Sequence, residues 1–215
     1  MPDRDPDSLG AADSLPQAPE RGPDRVIAFS DGVVAIAITL LLLPLADLTL
    51  PANGNVTTLI AENSALLFGL GVTWVVIALF WSAHHRLFER ITAIDNGVLW
   101  LNFGWLLAIA VLPLPTNLNI ANAPSPQVTG FYLGWMTLIS LFLAAIRWRV
   151  SHQPGLLEES YRASRESRTA GIRTLLILAV FALSFGVALI APDRATTVLL
   201  LLFFVDLLAA RIARP

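Results

Sequence analysis

Long apolar runs separated by short polar breaks dominate this chain. The stretch LLILAVFALSFGVALI (175–190) is typical. It lacks the apolar–polar alternation of a membrane-spanning strand. Six stretches approach the roughly 20 residues that cross a bilayer as a helix. They run from about Ile27 to Leu45, Ser64 to Ala83, Gly97 to Leu114, Val128 to Ile146, Arg173 to Ile190 and Ala195 to Ala210. Turn chemistry separates them at PANGN (51–55), PLPTNLNIANAPSP (113–126) and APDR (191–194). The pattern predicts an all-α, polytopic membrane protein with six transmembrane helices per chain.

Arginine placement orients those helices. Arg86 and Arg90 fall between segments two and three. Arg147, Arg149, Arg162, Arg165, Arg168 and Arg173 surround the loop between four and five. Arg21, Arg25, Arg211 and Arg214 flank the two ends, whereas the alternate loops hold only Arg194. The positive-inside rule therefore puts both termini in the cytoplasm. The Pro-, Asp- and Ser-rich residues 1–24 bury too little to order themselves and read as a disordered cytoplasmic tail. Residues 151–169 read either as a short amphipathic helix on the membrane face or as a solvated linker.

Composition narrows the chemistry. Hydrophobic residues make up 55% of the 215, charged residues 14%, and the net charge is −2. Soluble proteins carry about 25% charged residues. The near-neutral balance gives no reason to expect a nucleic-acid partner. The absence of cysteine excludes disulfides and zinc–thiolate sites. His84 and His85 are adjacent, about 100° apart on a helix, and cannot act as an i, i+4 metal pair. With no metal cluster or Ser–His–Asp set, the chain reads as a non-enzyme without cofactor.

The first segment holds the candidate site. Ile36, Leu40 and Leu43 share one helical face, Thr39 sits beside it, and Asp47 continues the stripe at its outer end. Several copies around an axis would form apolar rings topped by carboxylates. Such rings gate by dewetting, and the carboxylates would draw cations to the mouth. The same spacing also describes a helix facing lipid. Asp31 lies about 140° away from Ile36 and needs a partner, because intramembrane carboxylates are costly. Trp81, His84, His85, Asn102 and Arg25 lie at matching depth.

Arg25, Phe29, Ser30 and Asp31 form R-x-x-x-F-S-D, followed by Ala35–Ile36. Trp81 and His84 follow as W-x-x-H, then Arg86–Phe88, Leu101–Asn102 and Leu112–Pro113. This ordered set resembles the transmembrane protein 175 family of potassium channels. The resemblance covers segments one to three. It implies a prokaryotic homotetramer in the plasma membrane, with residues 25–215 as the six-helix channel domain and helix 1 lining the pore. It also implies that Ile36 forms the narrowest ring, with Thr39, Leu40 and Leu43 above it and no T-V-G-Y-G filter. Arg25, Phe29, Ser30, Asp31, Trp81, His84 and Asn102 would form a signature hydrogen-bond network holding the pore helices together. His85 has no required counterpart in the family. The implied partners are further copies of the chain, the lipid bilayer, and K⁺ with other monovalent cations. Apolar rings offer no ligands, so K⁺ would be preferred over Na⁺ only moderately. The alternative reading is a proton leak channel or proton-coupled transporter using Asp31 and His84, since histidine titrates near neutral pH.

Overall fold

The computed structural model describes residues 22–52 and 54–213. Among them are ten α-helices: α1 (Gly22–Leu41), α2 (Val56–Glu62), α3 (Ser64–Phe88), α4 (Asn96–Val111), α5 (Pro113–Ala121), α6 (Pro126–His152), α7 (Glu159–Arg162), α8 (Arg165–Ala188), α9 (Pro192–Ala195) and α10 (Leu202–Ile212). Two 3₁₀ segments, Leu43–Asp47 and Thr196–Leu201, extend α1 and join α9 to α10. Six spans are long and apolar enough to cross a membrane: Gly22–Asp47, Ser64–Phe88, Asn96–Ala121, Pro126–His152, Arg165–Ala188 and Pro192–Ile212. The six-helix expectation therefore holds. The expected tail lies outside the described residues up to Arg21, while Gly22–Asp24 already belong to α1.

Short polar side chains start four of the helices. Asn55 accepts from the Thr57 amide, Asp95 from Val98, Ser125 from Val128 and Ser164 from Ser167. Each satisfies an amide that a helix N-terminus leaves without an intrahelical acceptor. The 113–126 stretch departs from the loop expected there. Pro113 and Pro115 begin α5, since proline needs no donor in a first turn, and the helix runs on to Ala121.

The most buried of the six spans is α6, and it packs most extensively against α8 and α4. Trp105, Ile109, Leu133, Met136, Ile139 and Ile146 are all fully buried in this core. Gly104 brings α4 close to α6, because a β-carbon there would lie 2.5 Å from the Phe142 ring. The 151–169 region is neither free linker nor membrane-surface helix. Its start belongs to α6, and His152 ends that helix with its ring against Trp148. Residues 155–158 fold back on the α3–α4 connection, and α8 begins at Arg165. Thr92 N–H donates to the Leu156 carbonyl (3.0 Å), Glu158 N–H to the Arg90 carbonyl (3.0 Å), and Leu156, Leu157 and Tyr161 are buried. Three large side chains supply the apolar surface that overrides the charge of LLEESYRASRES.

Candidate functional site: a polar anchor at the foot of an exposed helix

Helix α1 has two contrasting faces. Ser30, Val34, Ala37 and Leu41 are buried, at the 3- and 4-residue spacing of one helical stripe. Ile36, Leu40 and Leu43 lie on the other side and are 61%, 50% and 61% exposed. The same open side carries Ala28, Gly32, Ala35 and Thr39. The Thr39 hydroxyl donates to the Ile36 carbonyl (2.7 Å), so its proton is used within the helix and its lone pairs face outward.

The outer end corrects the stripe. The α-helix stops at Leu41, and Pro44 sits in a 3₁₀ segment from Leu43 to Asp47. At three residues per turn, Asp47 is rotated about 120° from Leu43 and does not continue the face of Ile36 and Leu40. An uninterrupted α-helix would continue that face, but Pro44 removes an amide that such a helix needs.

The foot of α1 is tied to α3 and α4 by two separate groups of hydrogen bonds. In the first, Trp81 Nε1–H donates to Asp31 Oδ1 (2.7 Å). His85 stacks on the Trp81 ring and places Nδ1 3.5 Å from Asp31 Oδ2 and Nε2 3.5 Å from Glu89 Oε1. In the second, Asn102 Nδ2–H donates to Ser30 Oγ (3.0 Å), and the Ser30 hydroxyl donates to the Val26 carbonyl (2.7 Å). His84 Nε2 lies 2.7 Å from Asn102 Oδ1. A carbonyl oxygen can only accept, so Nε2 carries the proton. The His84 ring is clamped between Phe88 and Trp105, each with its centroid 4.1 Å away.

The structure brings Asp31 together with Trp81, and Ser30 and His84 together with Asn102, as two groups and not the single network expected. These bonds run within one chain, between α1, α3 and α4. Two expected members stand apart. Arg25 is exposed and makes no hydrogen bond or ion pair among the described residues. Phe29 is 54% exposed and contributes an edge-on ring contact to Phe103. Arg25 lies six residues before Asp31, on the exposed first turn of α1, where a guanidinium needs no protein partner. The clamp on His84 was missed in the sequence. Its signal was the i, i+4 pair His84–Phe88 and the aromatic-rich LWLNFGW around Asn102.

A second polar contact joins the start of α4 to the end of α6. Arg149 Nε donates to both Asp95 oxygens (3.0 Å each) and Nη2 donates to Oδ2 (2.7 Å). Hydrogen bonding from Arg149, and then from the Val98 amide, holds the Asp95 carboxyl below the usual carboxylate range. Gly97 makes room, because a β-carbon there would lie 2.2 Å from the guanidinium.

Six apolar spans, one of them pinned at its foot and open along an apolar face, define a multi-pass membrane protein built from a single six-helix unit. Residues 25–113, which include most of α1 and all of α3 and α4, match the family described as endosomal/lysosomal potassium channel TMEM175. A potassium channel of Streptomyces collinus is 28% identical over 171 residues, covering 78% of this chain and 82% of that protein. One of Chamaesiphon minutus is 32% identical over 117 residues, covering 52% and 56% respectively. The rat endosomal/lysosomal proton channel TMEM175 is 26% identical over 146 residues, and the chain spans only 28% of that longer protein. The crystal structure of a lysosomal potassium-selective channel TMEM175 homolog from Chamaesiphon minutus superposes with a TM-score of 0.68 at 19% identity, covering 90% of this chain and 98% of that one. The likeness to the TMEM175 family thus rests on residues 25–113, and the six-helix fold of the whole is shared with the Chamaesiphon minutus homolog.

Proposed function

We propose that this chain is one subunit of a homotetrameric channel that passes K⁺ and other monovalent cations down their gradients across a prokaryotic plasma membrane. Four copies of α1 would line the pore, with Ile36 as the narrowest ring, Thr39, Leu40 and Leu43 above it, and Asp47 near the mouth. Both termini would face the cytoplasm, as arginine placement requires. The observation that carries this reading is the open face of α1. Besides Ile36 and Leu40 it presents Ala28, Gly32, Ala35 and Thr39, and small residues suit close helix–helix approach better than contact with lipid. A β-carbon on Gly32 would meet nothing within 4 Å in its own chain, so a neighbouring backbone has room to approach. The potassium-channel relatives support the choice of ion.

Apolar rings supply no oxygen ligands, so a cation passing them keeps much of its hydration shell. K⁺ is then favoured over Na⁺ only moderately, through pore width and the Thr39 lone pairs. Potassium, sodium and proton flux into liposomes holding the purified protein, with a valinomycin control, tests the reading. The expected order is K⁺ above Na⁺ by less than about a hundredfold, a bound of roughly 2.7 kcal/mol. Absence of any K⁺ flux in sealed, oriented vesicles defeats it.

Proton passage is the second reading, favoured by the animal relatives named as proton channels. Asp31 would then relay through His85, since His84 bonds to Asn102 instead. In the same vesicles this reading requires proton flux that persists without K⁺ and falls in His85→Gln.

A further inference from the structure

Arg147 is the one buried arginine in the core of the described residues, at 9% exposure near the end of α6. A guanidinium has five N–H donors, and removing it from water unpaired is costly. Arg147 Nη2 donates to the Ser167 carbonyl (2.6 Å), yet no carboxylate lies within ion-pairing distance. The side chain lines a cleft of about 170 Å³ between the ends of α3 and α6 and the start of α8. Arg86, Arg90, Tyr161, Glu89 and Glu166 also line it.

Two of those charges are already engaged. Glu89 faces His85 at 3.5 Å. Arg90 reaches Glu158 at 3.4 Å and lies over the Tyr161 ring. Arg86 Nη1 donates to Ser82 Oγ (2.8 Å), a neutral partner. Two guanidiniums, Arg86 and Arg147, thus line the cleft without a carboxylate, and Glu166 lines it without an ion pair. The cleft lies where the Ser64–Phe88 and Pro126–His152 spans end, at the depth of lipid headgroups.

We propose that this cleft binds the phosphodiester of a phospholipid whose headgroup also carries a hydroxyl or ammonium donor. Arg86 and Arg147 take the phosphate oxygens, and Glu166 accepts from the donor. A soluble phosphate ester shares this chemistry; the depth of the cleft favours the lipid. The inference is independent of which ion the protein conducts.

The test uses delipidated full-length protein in detergent, with melting temperature and native mass spectrometry as readouts. Phosphatidylglycerol is expected to raise the wild-type melting temperature and remain bound. Phosphatidylcholine, which has no headgroup donor, is expected to do so less. Arg147→Gln and Arg86→Gln should weaken phosphatidylglycerol retention by about tenfold or more, since each removes charge-assisted hydrogen bonds. Arg86 is exposed, so its variant carries the test if the Arg147 variant fails to fold. Arg168→Gln, another exposed arginine outside the cleft, should leave retention unchanged. Undiminished retention in Arg86→Gln, or an equal loss in Arg168→Gln, overturns the site. Equal stabilisation by inorganic phosphate at matched concentration overturns the lipid as its occupant.

Discussion

Asn102→Ala removes the centre of the second hydrogen-bond group. Asn102 is completely buried and joins Ser30 at 3.0 Å to His84 at 2.7 Å. Side-chain hydrogen bonds between membrane helices average about 0.6 kcal/mol, so losing two costs roughly 1.2 kcal/mol. The substitution also strands the His84 N–H between two aromatic rings, and an orphaned buried donor adds about 1–3 kcal/mol. The orphan outweighs the lost bonds, and the total is about 2–4 kcal/mol. For a chain of 215 residues, 1 kcal/mol shifts the melting temperature by about 2–4 °C. A fall of roughly 5–15 °C is therefore expected. Intrinsic fluorescence of the six tryptophans in detergent reports it, at one fixed scan rate because unfolding of such proteins is often irreversible. Ser30→Ala should cost less, and the Ser30/Asn102 double variant should show a coupling of about 0.5–1.5 kcal/mol. Strict additivity would refute the argument, because it would mean that α1 and α4 are not joined through this bond.

Three further outcomes are expected. Ile36→Asn should wet the proposed ring and raise K⁺ leak into liposomes by roughly tenfold or more; unchanged flux removes Ile36 from the constriction. Asp47→Asn should lower K⁺ flux at about 0.01 M salt, where fields reach about 30 Å, but not at 1 M, where they reach about 3 Å; a salt-independent loss contradicts a field effect. Asp95→Asn keeps an acceptor for the Val98 amide but loses the charged pair with Arg149, whereas Asp95→Ala loses both and should melt lower by about 1 kcal/mol. Because the folded-state pKa of Asp95 is depressed, its stabilisation is fully present above the ordinary value of about 3.9 and disappears as pH falls through the folded value. Melting curves of wild type and Asp95→Asn should therefore differ at neutral pH and converge in acid.

The anchor was legible in the sequence because a polar group in an apolar run must find a partner. Ser30, Asp31, Trp81, His84 and Asn102 are conspicuous in segments one to three, and the structure joins them. The division into two groups was not legible, since residues at similar depth can pair in several ways. His85 faces Asp31 because the α3 register turns it there, while His84, one residue earlier and about 100° away, turns toward α4. Helix ends were misjudged where chemistry and context disagree. Pro113 and Pro115 signal a break in isolation, yet they open a helix when they fall in its first turn. The 151–169 loop reads as solvated from its charge, yet Leu156, Leu157 and Tyr161 pull it onto the α3–α4 connection.

The open face of α1 is illegible for a deeper reason. In water an exposed Ile36 or Leu40 would announce a missing partner, because apolar burial gains about 25 cal/mol per Å². In a bilayer that signal vanishes, since lipid tails are as apolar as leucine. An isoleucine facing lipid, another helix or a dewetted pore therefore has the same periodicity and nearly the same transfer energy. Only features that lipid does not reward can separate the cases. On α1 these are the small residues Ala28, Gly32 and Ala35, and they share the open side with Ile36. The polar bonds to α3 and α4 lie at or below Asp31, whereas above it the buried face offers only Val34, Ala37 and Leu41. The foot therefore fixes which way the helix is turned, and that rotation alone decides which side chains a neighbouring copy would meet.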